Sequence, residues 1–365
     1  MRITRGRVLS GIALVGVSAL ALAGCAAPPE GGGATTGAAP AFLPCIVSDA
    51  GGFDDKSFNQ LGFEGLVEAA GALGVDYVSV ESASDADYAP NLESLVSQGC
   101  NLIVAVGFAL SAATVESALA NPDIEYAIID DAADNDFNGE VDAPNIKPIL
   151  FDTADAAFLA GYAAASYSKT GIVATWGGMA FPTVTIFSDG FAQGVAYYNE
   201  QKGTAVTVLG YDPANPDGYT VTGGFEANDV ARQTAQNFID QNADVLLPVG
   251  GPIYQSALAA IADSGKDIAL LGVDADLFVT DPNTADVILT SVLKEMKVAT
   301  AEVVQAAGNG EFSNEAYIGT LENGGVGIAP FHNFESKVSP DLQAELDTIR
   351  EAIISGEIDV TSYLS

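Results

Sequence analysis

One histidine, His332, has to serve all 365 residues. That scarcity leaves almost no room for a Ser-His-Asp triad and none for a multi-histidine zinc site. Cations are scarce too: 13 Lys and Arg face 48 acids, for a formal net charge of −35. No basic run exists beyond the extreme N-terminus, so nothing is present to neutralise phosphates, and nucleic-acid binding is excluded. An anionic ligand is disfavoured for the same reason. Walker A and Rossmann glycine patterns are both missing, and no cofactor or metal is expected. The acidity itself reads as a solvated, repulsive surface. What is abundant is apolar side chain, 48% of residues, enough to bury a large core in one or two domains.

The few basic residues are placed informatively. "MRITRGR" carries Arg2, Arg5 and Arg7 without an acid, and an apolar run from Val8 to Ala23 follows. This order matches a secretory leader, and the run is short for a membrane span. It ends in "LAGC", Leu22 to Cys25, which resembles a bacterial lipobox, so lipidation is expected on Cys25. Residues 1–24 would be removed with three arginines and no acid, taking the charge from −35 to −38. "AAPPEGGGATTGAAPA", Ala26 to Ala41, has no apolar periodicity and reads as a tether, so residues 25–41 form a lipid-anchored linker. A body held by one modified residue at the outer face of the cell membrane is the expectation. The two other cysteines, Cys45 and Cys100, each open an apolar strand-like run. Neighbouring parallel strands start at one edge, so these two are expected to pair outside the cytoplasm.

Short apolar runs alternate with amphipathic stretches from residue 44 onward. Strands are expected at 44–48, 75–80, 101–106, 125–129, 146–151, 171–175, 205–210, 245–248, 268–273 and 287–293, with helices such as 57–73, 154–167 and 184–201 between them. Such alternation implies βαβ units and parallel sheets covered on both faces. Ten strands exceed one comfortable open sheet, so two doubly wound lobes are expected. "GIVATWGG" at 171–178 echoes "CIVSDAGG" at 45–52, as if each lobe opened with a strand and a glycine loop. Lobe 1 is placed at 42–152 with part of 290–330, and lobe 2 at 153–289 with the C-terminal segment 331–365.

Open α/β sheets bind ligands outside the carboxyl ends of their strands. The loops there hold Asp49, Gly107, Asp130, Gly177, Gly178, Gly250, Gly251 and Asp274. Carboxylates without partner cations suit hydroxyl and amino donors, such as a ribose diol or the N–H groups of a base. Asp54 and Asp55 read as helix-start residues favoured by the dipole.

"SDAGGFDDKSFNQ", Ser48 to Gln60, resembles the Asp-x-Gly-Gly-x-x-Asp-x-Ser-Phe-Asn signature of the basic membrane protein family, the PnrA-like nucleoside-binding lipoproteins of ABC uptake systems. "DGFAQGV" at 189–195, "GVDAD" at 272–276 and "TSVLKEM" at 290–296 are similar to further segments of that family, in the same order. The resemblance implies a type I periplasmic-binding-protein fold, two doubly wound parallel-sheet lobes with a crossover hinge. It also implies a monomer that is not an enzyme, clamps a purine nucleoside and delivers it to ABC permease subunits. By resemblance, Asp49 and Asn59 hydrogen-bond the ligand and Phe58 stacks on the purine. Asp130 lines the cleft, Gly250 and Gly251 present backbone, Asp274 holds ribose hydroxyls, and Lys294 adds a polar contact. A second aromatic is expected from lobe 2, among Trp176, Phe181 and Phe187.

A receptor for a sugar or another small polar solute on the same fold is the alternative. A nucleoside hydrolase-like enzyme is less favoured. Its aspartate loop is superficially similar to "DAGGFDD", but Val47 stands where that loop wants an acid, and a metal needs several focused carboxylates. "DNDFNG", Asp134 to Gly139, matches half an EF-hand loop, yet Asn145 replaces the bidentate Glu, so it reads as an acidic surface loop. A regulator on this fold would need a basic helix-turn-helix where the leader and tether stand.

Overall fold

The computed structural model describes residues 3–6 and 41–364. Cys25 and nearly all of the leader and tether lie outside the described residues. In chain order the strands are β1 (Ile3–Gly6), β2 (Pro44–Val47), β3 (Tyr77–Val80), β4 (Leu102–Val106), β5 (Glu125–Ile129), β6 (Ile146–Phe151), β7 (Ile172–Gly177), β8 (Thr207–Leu209), β9 (Val245–Val249), β10 (Ala269–Asp274), β11 (Ile288–Lys294), β12 (Tyr317–Gly319) and β13 (Val326–Ile328). The helices are α1 (Phe58–Leu73), α2 (Tyr88–Ser97), α3 (Ser111–Ala120), α4 (Thr153–Tyr167), α5 (Pro182–Lys202), α6 (Asp229–Asp240), α7 (Ile253–Ser264), α8 (Leu277–Thr280), α9 (Met296–Gly308) and α10 (Leu342–Ile354). None of these helices is long and apolar enough to cross a membrane.

Two sheets result, ordered β1-β3-β2-β4-β5-β6-β12 and β13-β11-β10-β9-β7-β8. All pairs are parallel except those of the edge strands β1 and β13. Central strands such as β4 and β9 are unbroken apolar runs because helices cover both faces. Under the leader reading, β1 leaves with the leader. Both sheets then share one plan: the first strand of each, β2 or β7, sits between the second and third. That arrangement makes a switch point between β2 and β4 in lobe 1, and between β7 and β9 in lobe 2.

The chain passes between the sheets at three places: Phe151 to Thr153, Lys294 to Met296, and Gly319 to Val326. α4 is alanine-rich and buried nearly all round, packed between α5, α10 and the second sheet. α9 returns to lobe 1 and packs on α1, so β11 belongs to the second sheet and the passage falls after Lys294. Cys45 and Cys100 are disulfide-bonded with Cα atoms 5.9 Å apart, tying β2 to the approach to β4.

Candidate functional site

The carboxyl ends of both sheets face each other across a cleft of about 500 Å³, counting its mouth. Asp49, Asp55, Phe58, Asn59, Phe108 and Asp130 line it from lobe 1. Lobe 2 supplies Thr183, Val184, Phe187, Phe225, the turn Val249 to Pro252, Asp274 and Lys294.

The lobe 1 wall is built where β2 turns into α1. Asp55 caps that helix: its carboxylate accepts from the backbone N–H groups of Ser57 at 3.0 Å, Asn59 at 2.9 Å and Gln60 at 3.1 Å. These are orphan donors of a first turn, and a carboxylate there also suits the helix dipole. Asn59 then donates through Nδ2 to Asp55 at 3.1 Å and to Asp49 at 2.7 Å, while its Oδ1 accepts from the Asp49 N–H at 3.1 Å. Asn59 is therefore almost fully buried as the clamp between two acids. Burial pushes the Asp49 carboxyl up to about 6 against the bonds from Gly51 and Asn59. Asp54, by contrast, is exposed beside Lys56.

The centre of the cleft is a buried ion group. Asp130 directly follows β5 and Asp274 ends β10, and both have positive φ, 61° and 67°. Aspartate tolerates this left-handed geometry better than most residues, and such backbone clusters at functional sites. Lys294 lies between them, its Nζ 2.5 Å from Asp130 and 3.8 Å from Asp274. Its side chain is 2% exposed, so the charge requires these partners. Burial pushes Asp274 up to about 7 and also raises Asp130, with the lysine opposing both. Ser57 adds a link between lobes, its Oγ 3.0 Å from the Val273 carbonyl and 3.2 Å from Asp274.

Aromatic rings form the remaining walls. Phe58 lies against Gly107 at the lobe 1 switch point, where an added Cβ would meet its ring at 3.3 Å. Phe225 lies against Gly178 and Gly250 at the lobe 2 switch point, where an added Cβ would meet its ring at 2.3 and 2.4 Å. Gly107 and Gly250 have φ of 104° and 134°, so glycine is required at both for backbone and space. Gly250 and Gly251 both line the cleft; Phe225 fills the space a side chain on Gly250 would need, whereas nothing stands within 4 Å of a Cβ on Gly251.

Trp176 is a correction to the expected site. It lines no part of the cleft; it is fully buried on the opposite face of β7, with its ring centroid 5.3 Å from that of Phe238. Alternation along the strand turns Thr175 and Trp176 to opposite sides. Phe187 lines the cleft but has Lys294 over its ring at 4.8 Å. Phe181 pairs with Phe108 across the lobes at 4.0 Å. Of the two lobe 2 aromatics that line the cleft, Phe187 lies under the lysine, whereas Phe225 does not and stands 6.1 Å from Phe108. Phe225 and Phe108 went unread in the sequence, as did Thr183 and Val184 from the first turn of α5. Phe108 directly follows a strand-end glycine, which was its available signal. Phe225 follows the Gly223-Gly224 pair in a loop with no periodicity.

Outside the cleft, the carboxylates of Asp134, Asp136 and Asp142 lie within 4.8 Å of one another on a surface loop. Asn145 serves elsewhere, donating to the carbonyls of Ala118, Asn121 and Ile124. His332 stacks on Phe278 at 4.0 Å and hydrogen-bonds Asp276 at 2.8 Å, far in role from any triad.

With this geometry in hand, comparison with known proteins gives a consistent answer. The family model described as ABC transporter substrate-binding protein PnrA-like matches residues 43–363. Basic membrane protein A of Borreliella burgdorferi is 29% identical, covering 86% of this chain and 86% of its own. The ABC transporter nucleoside-binding protein BmpA of Lactococcus lactis is 28% identical over 98% of this chain and 99% of its own. Among solved structures, an ABC transporter solute-binding protein from Aeropyrum pernix superposes with a TM-score of 0.75 at 25% identity, covering 89% of this chain and 94% of that one.

Proposed function

The chain belongs to the PnrA-like family of ABC transporter substrate-binding proteins, and from that premise we propose that it captures a purine nucleoside between its lobes and delivers it to a permease. Held by lipid on Cys25, it works as a monomer at the outer face of the membrane. The observation that carries this reading is the pair of rings, Phe58 and Phe225, one at each switch point of a cleft lined by carboxylates. A purine is flat and uncharged, so stacking plus directed hydrogen bonds binds it without a cation. The cleft's lysine is already neutralised by Asp130 and Asp274, which argues against a phosphorylated ligand. A relative named for nucleoside binding supports the solute class.

In this reading Phe58 and Phe225 sandwich the base. Asp49, positioned by Asn59, accepts from donors on its edge. Asp274 and Asp130 accept from ribose hydroxyls, with Lys294 holding both acids in place. Gly251 offers backbone beside the sugar. The lobes meet through Ser57, the Lys294 group and the Phe108–Phe181 pair. A ligand touching both walls adds to these contacts and shifts the population toward the closed form that a permease recognises.

Isothermal titration of the mature chain with adenosine, guanosine, inosine, cytidine, ribose and galactose tests the proposal. Binding of a purine nucleoside above cytidine and free sugars is expected. Binding of a hexose with no nucleoside response would overturn it. Release of free base from inosine by the metal-supplemented protein would favour a hydrolase instead.

A further inference from the structure

The cleft is rich in acceptors and poor in free donors. Asp49, Asp55, Asp130 and Asp274 present carboxylates, and the two donors facing them are engaged: Asn59 with Asp49 and Asp55, Lys294 with Asp130 and Asp274. Thr183 differs. It lines the cleft, is 9% exposed, and its Oγ1 is closed off from solvent without a hydrogen-bond partner among the described residues. The other such side-chain atoms belong to Thr114, Asp152, Trp176, Thr280 and Thr300, none of which lines the cleft. Two residues on, Thr185 bonds the Pro182 carbonyl at 3.3 Å, so local back-bonding occurs in this turn and Thr183 does not use it.

A buried polar atom without a partner is destabilising and calls for an explanation. Thr183 stands in the first turn of α5, a 21-residue helix whose N-terminus carries partial positive charge. Val184 and Phe187 line the cleft from the same helix. Phe187, with Lys294 over its ring, is one turn further, about 6 Å along the axis. Thr183 and the Lys294 group thus line one and the same cleft. Ionised carboxylates only accept and cannot serve an acceptor atom on a ligand there, whereas a free hydroxyl at a helix N-terminus can donate to it.

We propose that Thr183 is a specificity-determining residue of the cleft, its hydroxyl donating to a carbonyl acceptor on the ligand's base. This rests on the nucleoside reading above and sharpens it toward 6-oxopurine nucleosides. Exocyclic amino groups belong at the carboxylates; a ring carbonyl belongs at Thr183.

Titration calorimetry on the full mature chain, wild type, Thr183→Val and Thr183→Ser, with inosine and with purine riboside lacking the 6-carbonyl, is the test. The wild type is expected to prefer inosine by about tenfold. Thr183→Val should lose about that factor for inosine and stay within about twofold for purine riboside, and Thr183→Ser should restore the preference. The unliganded melting temperature of Thr183→Val should hold or rise, because this substitution removes an unpartnered hydroxyl. Equal weakening of both ligands by Thr183→Val, or unchanged inosine affinity, overturns the inference while the nucleoside reading stands. A wild type that binds neither nucleoside overturns both.

Discussion

The two walls of the cleft are assembled differently. Lobe 1 concentrates its polar contacts in eleven residues, Asp49 to Asn59, and those groups bond one another: Asp49 to Asn59, Asn59 to Asp55, Asp55 to the start of α1. Lobe 2 draws on five separate segments, and its polar groups bond across the cleft, Lys294 to Asp130 and Asp274 to Ser57. The first wall is thus pre-organised within its own lobe. The second pairs Lys294 with Asp274 inside its own lobe but is completed by Asp130 and Ser57 only when the lobes are together. Pre-organisation limits the entropy lost on binding, and a wall completed by closure couples binding to the conformational change.

The comparison can be broken most forcefully at Lys294. Removing one partner of a buried ion group leaves charge uncompensated, so Lys294→Met should cost about 3–5 kcal/mol of stability and abolish binding. Urea denaturation with parallel titration checks this, and a variant of normal stability would show that the carboxylates do not depend on the lysine. Next come the rings. Phe58→Ala and Phe225→Ala should each weaken nucleoside binding by about 1–3 kcal/mol and by similar amounts, since each supplies one face of the sandwich. A silent Phe225→Ala would break the symmetry of the walls.

Acidity separates the walls more gently. Asp49 is raised to about 6 and Asp274 to about 7, both above the unfolded value near 4. The folded state thus holds protons that the unfolded state has released, so stability without ligand should fall as pH rises through 6 and 7. The slope is bounded by about 1.4 kcal/mol per pH unit for each group. Thermal unfolding from pH 5 to 8 reads this: Asp274→Asn should flatten the upper part and Asp49→Asn the lower. Ligand donors favour the ionised carboxylates, so affinity should rise over the same range. A melting temperature that climbs with pH would contradict the sign. The smallest effect is at Trp176: Trp176→Phe should leave nucleoside affinity within about twofold, since the ring packs in the core behind the sheet.

The same contrast explains what was legible. Parallel strands buried on both faces read as apolar runs, so the ten strands from β2 to β11 and the two-lobed plan were visible. β12 and β13, three residues each, are too short for a periodic signal. The lobe 1 wall was readable because it is contiguous: Asp49, Phe58 and Asn59 stand in one motif and meet in one cleft. In lobe 2, Asp274 was legible at a strand end and Lys294 only through the family resemblance. Trp176 was kept among the aromatic candidates with Phe181 and Phe187 because residue order along β7 does not reveal which of its side chains turns toward the cleft and which into the core. Phe225 was missed because its position depends on the backbone of Gly178 and Gly250, 47 and 25 residues away in the chain.

A crystal structure of the mature chain with inosine tests the central claim most directly. The account predicts the purine between Phe58 and Phe225, ribose hydroxyls on Asp274 and Asp130, and Lys294 still between those two acids. A base stacked elsewhere, with Phe225 turned out of the cleft, would contradict it.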